Sequence, residues 1–461
     1  MLNYIGQVII ARLLVPADFG IIALITVFIG FAAIFSDFGL GSALIQQRDL
    51  GDDTISAVFR FSVFGALFLT GSLWAAAPIM EDFYGVEGLR GLTRLLAIGF
   101  FASSVSLVPR ALLQRDMRFK LLAQADVVAT FLGLLATIAI ALKTRSPVAI
   151  AIGAVVSSSA GTLLVWRGLG HYTWMSSRGQ LPRRIWSYGG NLVGFTIINY
   201  WARNVDNLLI GKWLGPVSLG LYSRAYNLML LPVNQVVAAL NPVILPTLAA
   251  LQRDTERFRR AYLSAVRAIA FVTFPMMAGL AVTAYPFIAL VFGAKWIEAV
   301  PLVQILAWVG LLQSLTNPVG LIYLATGSTA RMLQWGLLGS SACVVALVIG
   351  ALLGSARAVA SAYLLVNILL TYPAIAFAGV LVELRFYQVL DAIKHTVLAT
   401  GLMTTSVFLA EHGLTSLLPV TQRLLADVVL GAGVYAVVSL IIRNPAVGDF
   451  KRFLTIKRST V

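Results

Sequence analysis

The sequence predicts an all-α fold, a polytopic membrane protein of about fourteen transmembrane helices arranged as two pseudo-symmetric six-helix lobes plus two C-terminal helices. Three observations predict it: apolar runs long enough to cross a bilayer, a motif that returns after two hundred residues, and a lopsided distribution of cations among the loops. Hydrophobic residues make up 59% of the 461 and charged residues 11%, with a mean hydropathy of +0.88. A soluble chain of this length is not so apolar. The runs match the roughly 20 residues a helix needs to cross about 30 Å of hydrocarbon, and they are too long for barrel strands.

The recurring motif organises the rest. Ile10-Ala11-Arg12-Leu13-Leu14-Val15-Pro16-Ala17-Asp18-Phe19-Gly20 is answered by Ile210-Gly211-Lys212-Trp213-Leu214-Gly215-Pro216-Val217-Ser218-Leu219-Gly220. Each copy is an apolar helix end with one cation, a proline turn, a glycine and a new apolar helix.

Taken in order, the first six spans are Met1–Leu14, Gly20–Ile45, Ser56–Met80, Leu92–Leu112, Leu121–Leu142 and Pro147–Trp166. Each is a predominantly apolar run bounded by polar or turn residues. A polar connection from Arg167 to Trp186 carries Arg167, Arg178, Arg183 and Arg184 and reads as an inter-lobe linker. Six more spans follow: Ser187–Trp213, Leu219–Leu248, Tyr262–Phe292, Val300–Thr326, Met332–Leu353 and Val359–Val382. Two others, His395–Leu409 and Leu424–Ile442, precede a basic tail. The predicted organisation is therefore an N-lobe over 1–168, a cytoplasmic linker over 169–184, a C-lobe over 185–382, and helices 13 and 14 with the tail over 383–461. The first span is about half the length of the seventh, its counterpart in the repeat, so an upstream start is expected to supply two or three further turns.

A net charge of +15 in a soluble chain would suggest nucleic acid, but in a membrane chain it must first be set against the excess of Lys and Arg in cytoplasmic loops. With the N-terminus inside, the inner loops and tail hold Arg48, Arg115, Arg118, Lys120, the four linker arginines, Arg253, Arg257, Arg259, Arg260, Arg331, Arg385, Lys394, Arg443, Lys451, Arg452, Lys457 and Arg458. The outer loops hold Arg90, Lys143, Arg145, Lys212, Lys295, Arg357 and Arg423. Both termini are therefore expected in the cytoplasm, and no nucleic-acid partner is expected.

Pro78 and Gly85 answer to Pro286 and Gly293, Pro109 to Pro318, and Arg60 to Arg267. Six spans per half is an even number, so the halves should enter from the same side about an axis along the membrane normal, leaving a cleft suited to alternating access. Cofactors are not expected. Cys343 is the one cysteine and the three histidines, His171, His395 and His412, are scattered, which leaves neither a disulfide framework nor a metal-ligand pattern. No phosphate-binding Gly-x-x-x-x-Gly-Lys-Ser/Thr motif is present, so direct nucleotide use is not expected.

The motifs Ala11-Arg12-Leu13-Leu14 with Pro16, Asp18-Phe19-Gly20, Phe35-Ser36-Asp37-Phe38-Gly39-Leu40 and Ala43-Leu44-Ile45-Gln46 resemble the opening of polysaccharide-biosynthesis flippases. So do Asn204-Val205-Asp206-Asn207-Leu208-Leu209-Ile210-Gly211 and Leu221-Tyr222-Ser223-Arg224-Ala225-Tyr226-Asn227. The resemblance is to the multidrug/oligosaccharidyl-lipid/polysaccharide exporter superfamily, in its Wzx-type branch that includes exporters related to those for colanic and teichuronic acids. It implies export of an undecaprenyl-diphosphate-linked oligosaccharide to the outer leaflet of a bacterial inner membrane, with membrane lipids as surroundings and a polysaccharide polymerase and chain-length regulator as possible partners.

Such a substrate has a diphosphate and hydroxyls that cannot enter hydrocarbon unpaired. Charges within spans are therefore the candidates, since each costs about 2.5–3.5 kcal/mol at a helix centre and tends to face a cavity or a partner. Arg203 leads, because a planar guanidinium can grip phosphate oxygens bidentately; the competing reading is an ion pair with Asp206, three residues on. Arg224, and Arg12 and Lys212 at outer helix ends, are further candidates for the substrate path, with snorkelling as the alternative for the last two. Arg60 and Arg267, near the inner ends of equivalent helices, are placed to receive a diphosphate or to anchor to the interface. Arg110 reads as interfacial. Trp201 reads either as an interfacial aromatic or as a platform for a sugar ring. Asp37, Asp126 and Asp206 are candidates for proton or sodium coupling, or for pairing with arginines.

Three other functions compete: a lipid-linked peptidoglycan precursor flippase, a cation-coupled drug exporter with an acidic cavity, and a membrane glycosyltransferase. The short outer loops leave little room for the last, and the chain is expected not to be an enzyme.

Overall fold

The computed structural model describes residues 2–37, 41, 44–45, 51–170, 197, 200–201, 204–413 and 418–449, with the backbone alone at 2–4 and 37. Every regular element among them is helical. Eleven helical stretches in the described residues are long and apolar enough to cross a membrane. The other three of the fourteen expected spans have separate reasons for falling outside that set. Helix α1 (Leu2–Leu13) has 12 residues, about 18 Å at 1.5 Å per residue. The seventh span lies partly outside the described residues, with helix at 204–213. The thirteenth, α15 (Phe386–His412), carries Asp391, Lys394 and Glu411 within an otherwise apolar helix.

The chain divides into two compact units, Met1–Gly220 and Leu221–Val461, so the division falls just after the second copy of the motif. In the first unit α1 is followed by α2 (Pro16–Asp37), α3 (Asp52–Tyr84), α4 (Leu89–Val105), α5 (Leu107–Arg115), α6 (Phe119–Thr144) and α7 (Val148–Leu169). The opening turn of α2 follows from its residues. Pro16 occupies the first helical position, and the Asp18 carboxylate accepts a hydrogen bond from the Val15 N–H at 3.0 Å, as in the acidic half of a capping box.

The recurring glycines have a steric cause. A Cβ on Gly20 would lie 1.8 Å from the Pro216 carbonyl oxygen, and a Cβ on Gly220 would lie 1.8 Å from the Pro16 carbonyl oxygen. The two copies of the motif therefore cross at their first turns with reciprocal backbone contact that only glycine permits. Helices α6 and α7 use the same device: a Cβ on Gly133 would meet the Gly153 carbonyl at 2.7 Å, and one on Gly153 would meet Thr137 Oγ1 at 1.8 Å. In a bilayer, close approach through small residues replaces the hydrophobic drive that water supplies elsewhere.

The second unit continues α8 (Gly215–Ala250) and adds α9 (Thr255–Val282), α10 (Ala284–Val291), a 3-10 turn at Ala294–Ala299, α11 (Val300–Thr316), α12 (Val319–Ala325), α13 (Thr329–Leu352), α14 (Ala356–Gly379), α15 and α16 (Val420–Ile441). Its largest core gathers Leu240, Ile244, Leu248, Phe258, Tyr262, Ile269, Ile322, Tyr323, Ile375, Val389 and Ile393. That list places the C-terminal end of α8, the start of α9, α12, the end of α14 and the start of α15 on one side. The starts of α9 and α14 are capped by Asp254, which accepts from the Arg257 N–H at 3.0 Å, and Ser355, which accepts from the Ala358 N–H at 3.1 Å.

Among the described residues, three of the predicted spans are interrupted. The fourth breaks at Ser106, three residues before Pro109. The tenth breaks at Asn317, and Pro318 caps the helix that follows. The repeated proline accompanies a repeated break: Pro109 and Pro318 each lack the N–H that would donate back one turn, while Ser106 and Asn317 at the breaks keep near-helical backbone angles. The ninth breaks at Thr283, ahead of Pro286. Gly85 and Gly293, also paired in the repeat, both have positive φ, +66° and +93°.

Candidate functional site

In the first unit, Lys212 donates to the Phe83 carbonyl oxygen, and its ammonium lies 4.3 Å from the centroid of the Phe83 ring. Lys212 thus grips a helix end and an aromatic face. Arg12 is exposed at the end of α1. Trp201 stands 4.9 Å from the ring of Phe31 and 5.9 Å from that of Tyr200, while the Tyr200 hydroxyl donates to the Val27 carbonyl oxygen. An aromatic cluster thus ties the seventh span to α2.

Asp206 is buried, and its carboxylate accepts from the Asn207 N–H at 2.8 Å. Arg203, the leading sequence candidate, lies outside the described residues, as does the side chain of Asp37 at the last residue of α2. Asp126 on α6 pairs with Arg110 on α5 at 2.6 Å. These two residues, sixteen apart and on different helices, were weighed separately in the sequence. The structure brings them together as an ion pair whose carboxylate is about half exposed.

Arg60 is half-buried nine residues into α3. Among the described residues it has neither a hydrogen bond nor an ion pair. Its repeat counterpart Arg267, on α9 in the second unit, donates through Nε to the Asp449 carboxylate at 2.7 Å. Arg224 is half-buried on the third turn of α8. On the adjoining turns Tyr222 and Tyr226 stack with ring centroids 6.0 Å apart. Tyr226 also meets the ring of Tyr363 on α14 at 6.2 Å, and Gln313 on α11 donates to the Tyr363 hydroxyl at 2.9 Å.

Two groups escaped sequence reasoning. The first is this cluster of Tyr226, Tyr363 and Gln313, whose members stand on three helices far apart in the chain. Three polar residues inside apolar runs were the available signal. The second is a buried ion pair between Glu411 and Arg423, 2.8 Å apart and 7% and 19% exposed, with Asp427 also buried one turn further along α16. Among the described residues no group of three or more His, Cys, Asp or Glu is arranged to hold a metal ion.

Comparison with known proteins places this geometry. The chain is 30% identical over 310 residues to the "Teichuronic acid biosynthesis protein TuaB" of Bacillus subtilis, covering 66% of this chain and 64% of that protein. It is 26% identical over 449 residues to the "Succinoglycan biosynthesis transport protein ExoT" of Rhizobium meliloti, covering 95% of this chain and 89% of that one. Its fold is similar to that of the lipid II flippase MurJ in an inward closed conformation, with a TM-score of 0.71, 16% identity and 96% of each chain covered. The family described as "Polysaccharide biosynthesis protein" matches residues 9–301, so this chain is a multi-pass membrane member of the polysaccharide biosynthesis protein family.

Proposed function

We propose that the protein is a flippase that moves an undecaprenyl-diphosphate-linked oligosaccharide from the inner to the outer leaflet of the bacterial inner membrane. The observation that carries this reading is the combination, in one chain, of the family match over 9–301 with a fold shared along 96% of its length with a lipid flippase. Physical chemistry supports it. The cargo has a long apolar tail content in lipid and an anionic, hydroxyl-rich head that needs a wet, cationic path.

In this reading transport is by alternating access of the two lobes at 1–168 and 185–382, with the 169–184 linker, the tail and both termini in the cytoplasm. Arg60 is the guanidinium best prepared for phosphate, since no carboxylate of the described residues occupies it. Arg203, Arg224, Arg12 and Lys212 extend the cationic path, and Trp201 offers a sugar-stacking face. Arg267 joins the path when Asp449 releases it. The lipid-linked product would pass to a polymerase and a chain-length regulator.

Asp37, Asp126 and Asp206 are the proposed sites of ion coupling. The inside-negative potential helps an anion outward by about 2.3 kcal/mol per charge per 100 mV, so coupling need supply only part of the driving force.

Proteoliposomes carrying the purified protein test the proposal. They are expected to move a polyprenyl-diphosphate oligosaccharide across the bilayer faster than empty liposomes, and to leave a polyprenyl alcohol bearing the same sugar without diphosphate unaccelerated. Equal rates with and without protein would overturn the flippase reading, whereas equal acceleration of both lipids would overturn the cationic path alone.

A further inference from the structure

A separate cavity lies in the second unit, apart from the residues discussed above. A half-open cavity of about 990 Å³ lies among the start of α9, the end of α14, the connection at 380–385 and the start of α15. Its polar lining is Arg259, Glu383, Arg385 and Gln388, and its apolar and aromatic lining includes Tyr372, Val380, Phe386 and Tyr387. The connection is held open rather than collapsed. Arg259 donates to the Glu383 carbonyl oxygen at 3.4 Å, Glu383 itself has φ +52°, and Gln388 Oε1 accepts from the Arg385 N–H at 3.0 Å. Tyr372 packs edge-on against Phe386 with centroids 5.3 Å apart.

Three features select the ligand. First, the wall is amphipathic: Val380 is 71% exposed and Tyr372 and Tyr387 are each 59% exposed, which suits the boundary where acyl chains meet headgroups. Second, both cations are arginines, whose forked donors match phosphate oxygens. Third, two guanidiniums against the single Glu383 carboxylate leave one net positive charge, which balances one phosphodiester better than it balances a diphosphate. We propose that this cavity binds the headgroup of an anionic membrane phospholipid, with its phosphate between Arg259 and Arg385 and its chains along Val380, Tyr372 and Tyr387. Basic pockets between membrane helices on the cytoplasmic side hold anionic lipid heads by this chemistry. The proposal needs a membrane protein with this side facing the inner leaflet, and does not depend on what is transported.

Native mass spectrometry of the full chain, titrated with phosphatidylglycerol or with phosphatidylcholine of the same acyl composition, provides the test. Wild type is expected to retain phosphatidylglycerol preferentially, and Arg259→Gln/Arg385→Gln to lower that affinity about tenfold while leaving phosphatidylcholine unchanged. Glu383→Gln removes the repelling charge and is expected to tighten phosphatidylglycerol about threefold, a gain that a misfolded protein would not give. The proposal is overturned if wild type shows no preference between the two lipids, or if the double variant and wild type bind phosphatidylglycerol equally. It is also overturned if a polyprenyl diphosphate displaces bound phosphatidylglycerol at a lower concentration than phosphatidylglycerol itself requires, since the pocket would then belong to the transported lipid.

Discussion

Arg60 and Arg267 answer to each other in the sequence repeat, the ninth residue of α3 and the thirteenth of α9, and the structure uses them differently. Arg267 is held by Asp449 at 2.7 Å, with both side chains mostly covered. Arg60 is half-buried with no such carboxylate among the described residues. The carboxylate comes from the segment after α16, which has no counterpart in the first half. The same terminal helices supply Glu411 and Arg423, which neutralise each other. The second half thus answers its cation with a carboxylate of its own, while Arg60 has none among the described residues.

The comparison can be broken hardest at the terminal helix pair. Glu411→Ala leaves Arg423 largely buried without its partner and is expected to cost about 3–5 kcal/mol in reversible unfolding. The double variant Glu411→Met/Arg423→Met should recover most of that loss, because an apolar pair avoids desolvating charge. A full-sized loss in the double variant would show that packing, and not charge pairing, holds α15 to α16.

At the crossing of the two motif copies, Gly20→Ala would push a methyl into the Pro216 carbonyl, and a loss of about 1–3 kcal/mol is expected. The reciprocal geometry predicts a similar loss for Gly220→Ala. Unequal losses would mean that one copy bends away more easily than the other. Asp449→Asn should cost about 1 kcal/mol, since Arg267 keeps 27% side-chain exposure and water screens part of the pair. The same variant frees Arg267, so binding of an isoprenoid diphosphate should strengthen and the two halves should become more alike. The smallest effect is expected at Gly65, which lies inside α3 with open space where a Cβ would sit. Gly65→Ala should stabilise by about 0.5 kcal/mol, and a loss there would show that the lipid-facing side of α3 has an unrecognised neighbour.

The fold was largely legible because bilayer thickness and backbone satisfaction act on contiguous residues. Apolar run length located the spans, and the Pro16/Pro216 and Gly20/Gly220 pairs announced the duplication. The interruptions at Ser106, Thr283 and Asn317 were less legible: Pro109, Pro286 and Pro318 were visible, but a proline near the start of a helix and one that splits a span look alike until the neighbouring packing is known. The candidate site was legible in residue type and not in pairing. Arg110 with Asp126 and Arg267 with Asp449 are joined across 16 and 182 residues, and no local period reports such contacts. Spacing within one helix could suggest only pairs such as Arg203 with Asp206.

The central claim, a cationic path for a lipid diphosphate in which Arg60 is available and Arg267 is held, is tested most directly by comparing Arg60→Gln and Arg267→Gln in proteoliposomes with equal protein insertion. The measured quantity is the rate of transbilayer movement of a polyprenyl-diphosphate oligosaccharide. The account predicts a rate for Arg60→Gln lower by about tenfold, the equivalent of one lost charge-assisted contact, and a smaller decrease for Arg267→Gln. Undiminished transport by Arg60→Gln, or a larger loss in Arg267→Gln than in Arg60→Gln, would contradict it.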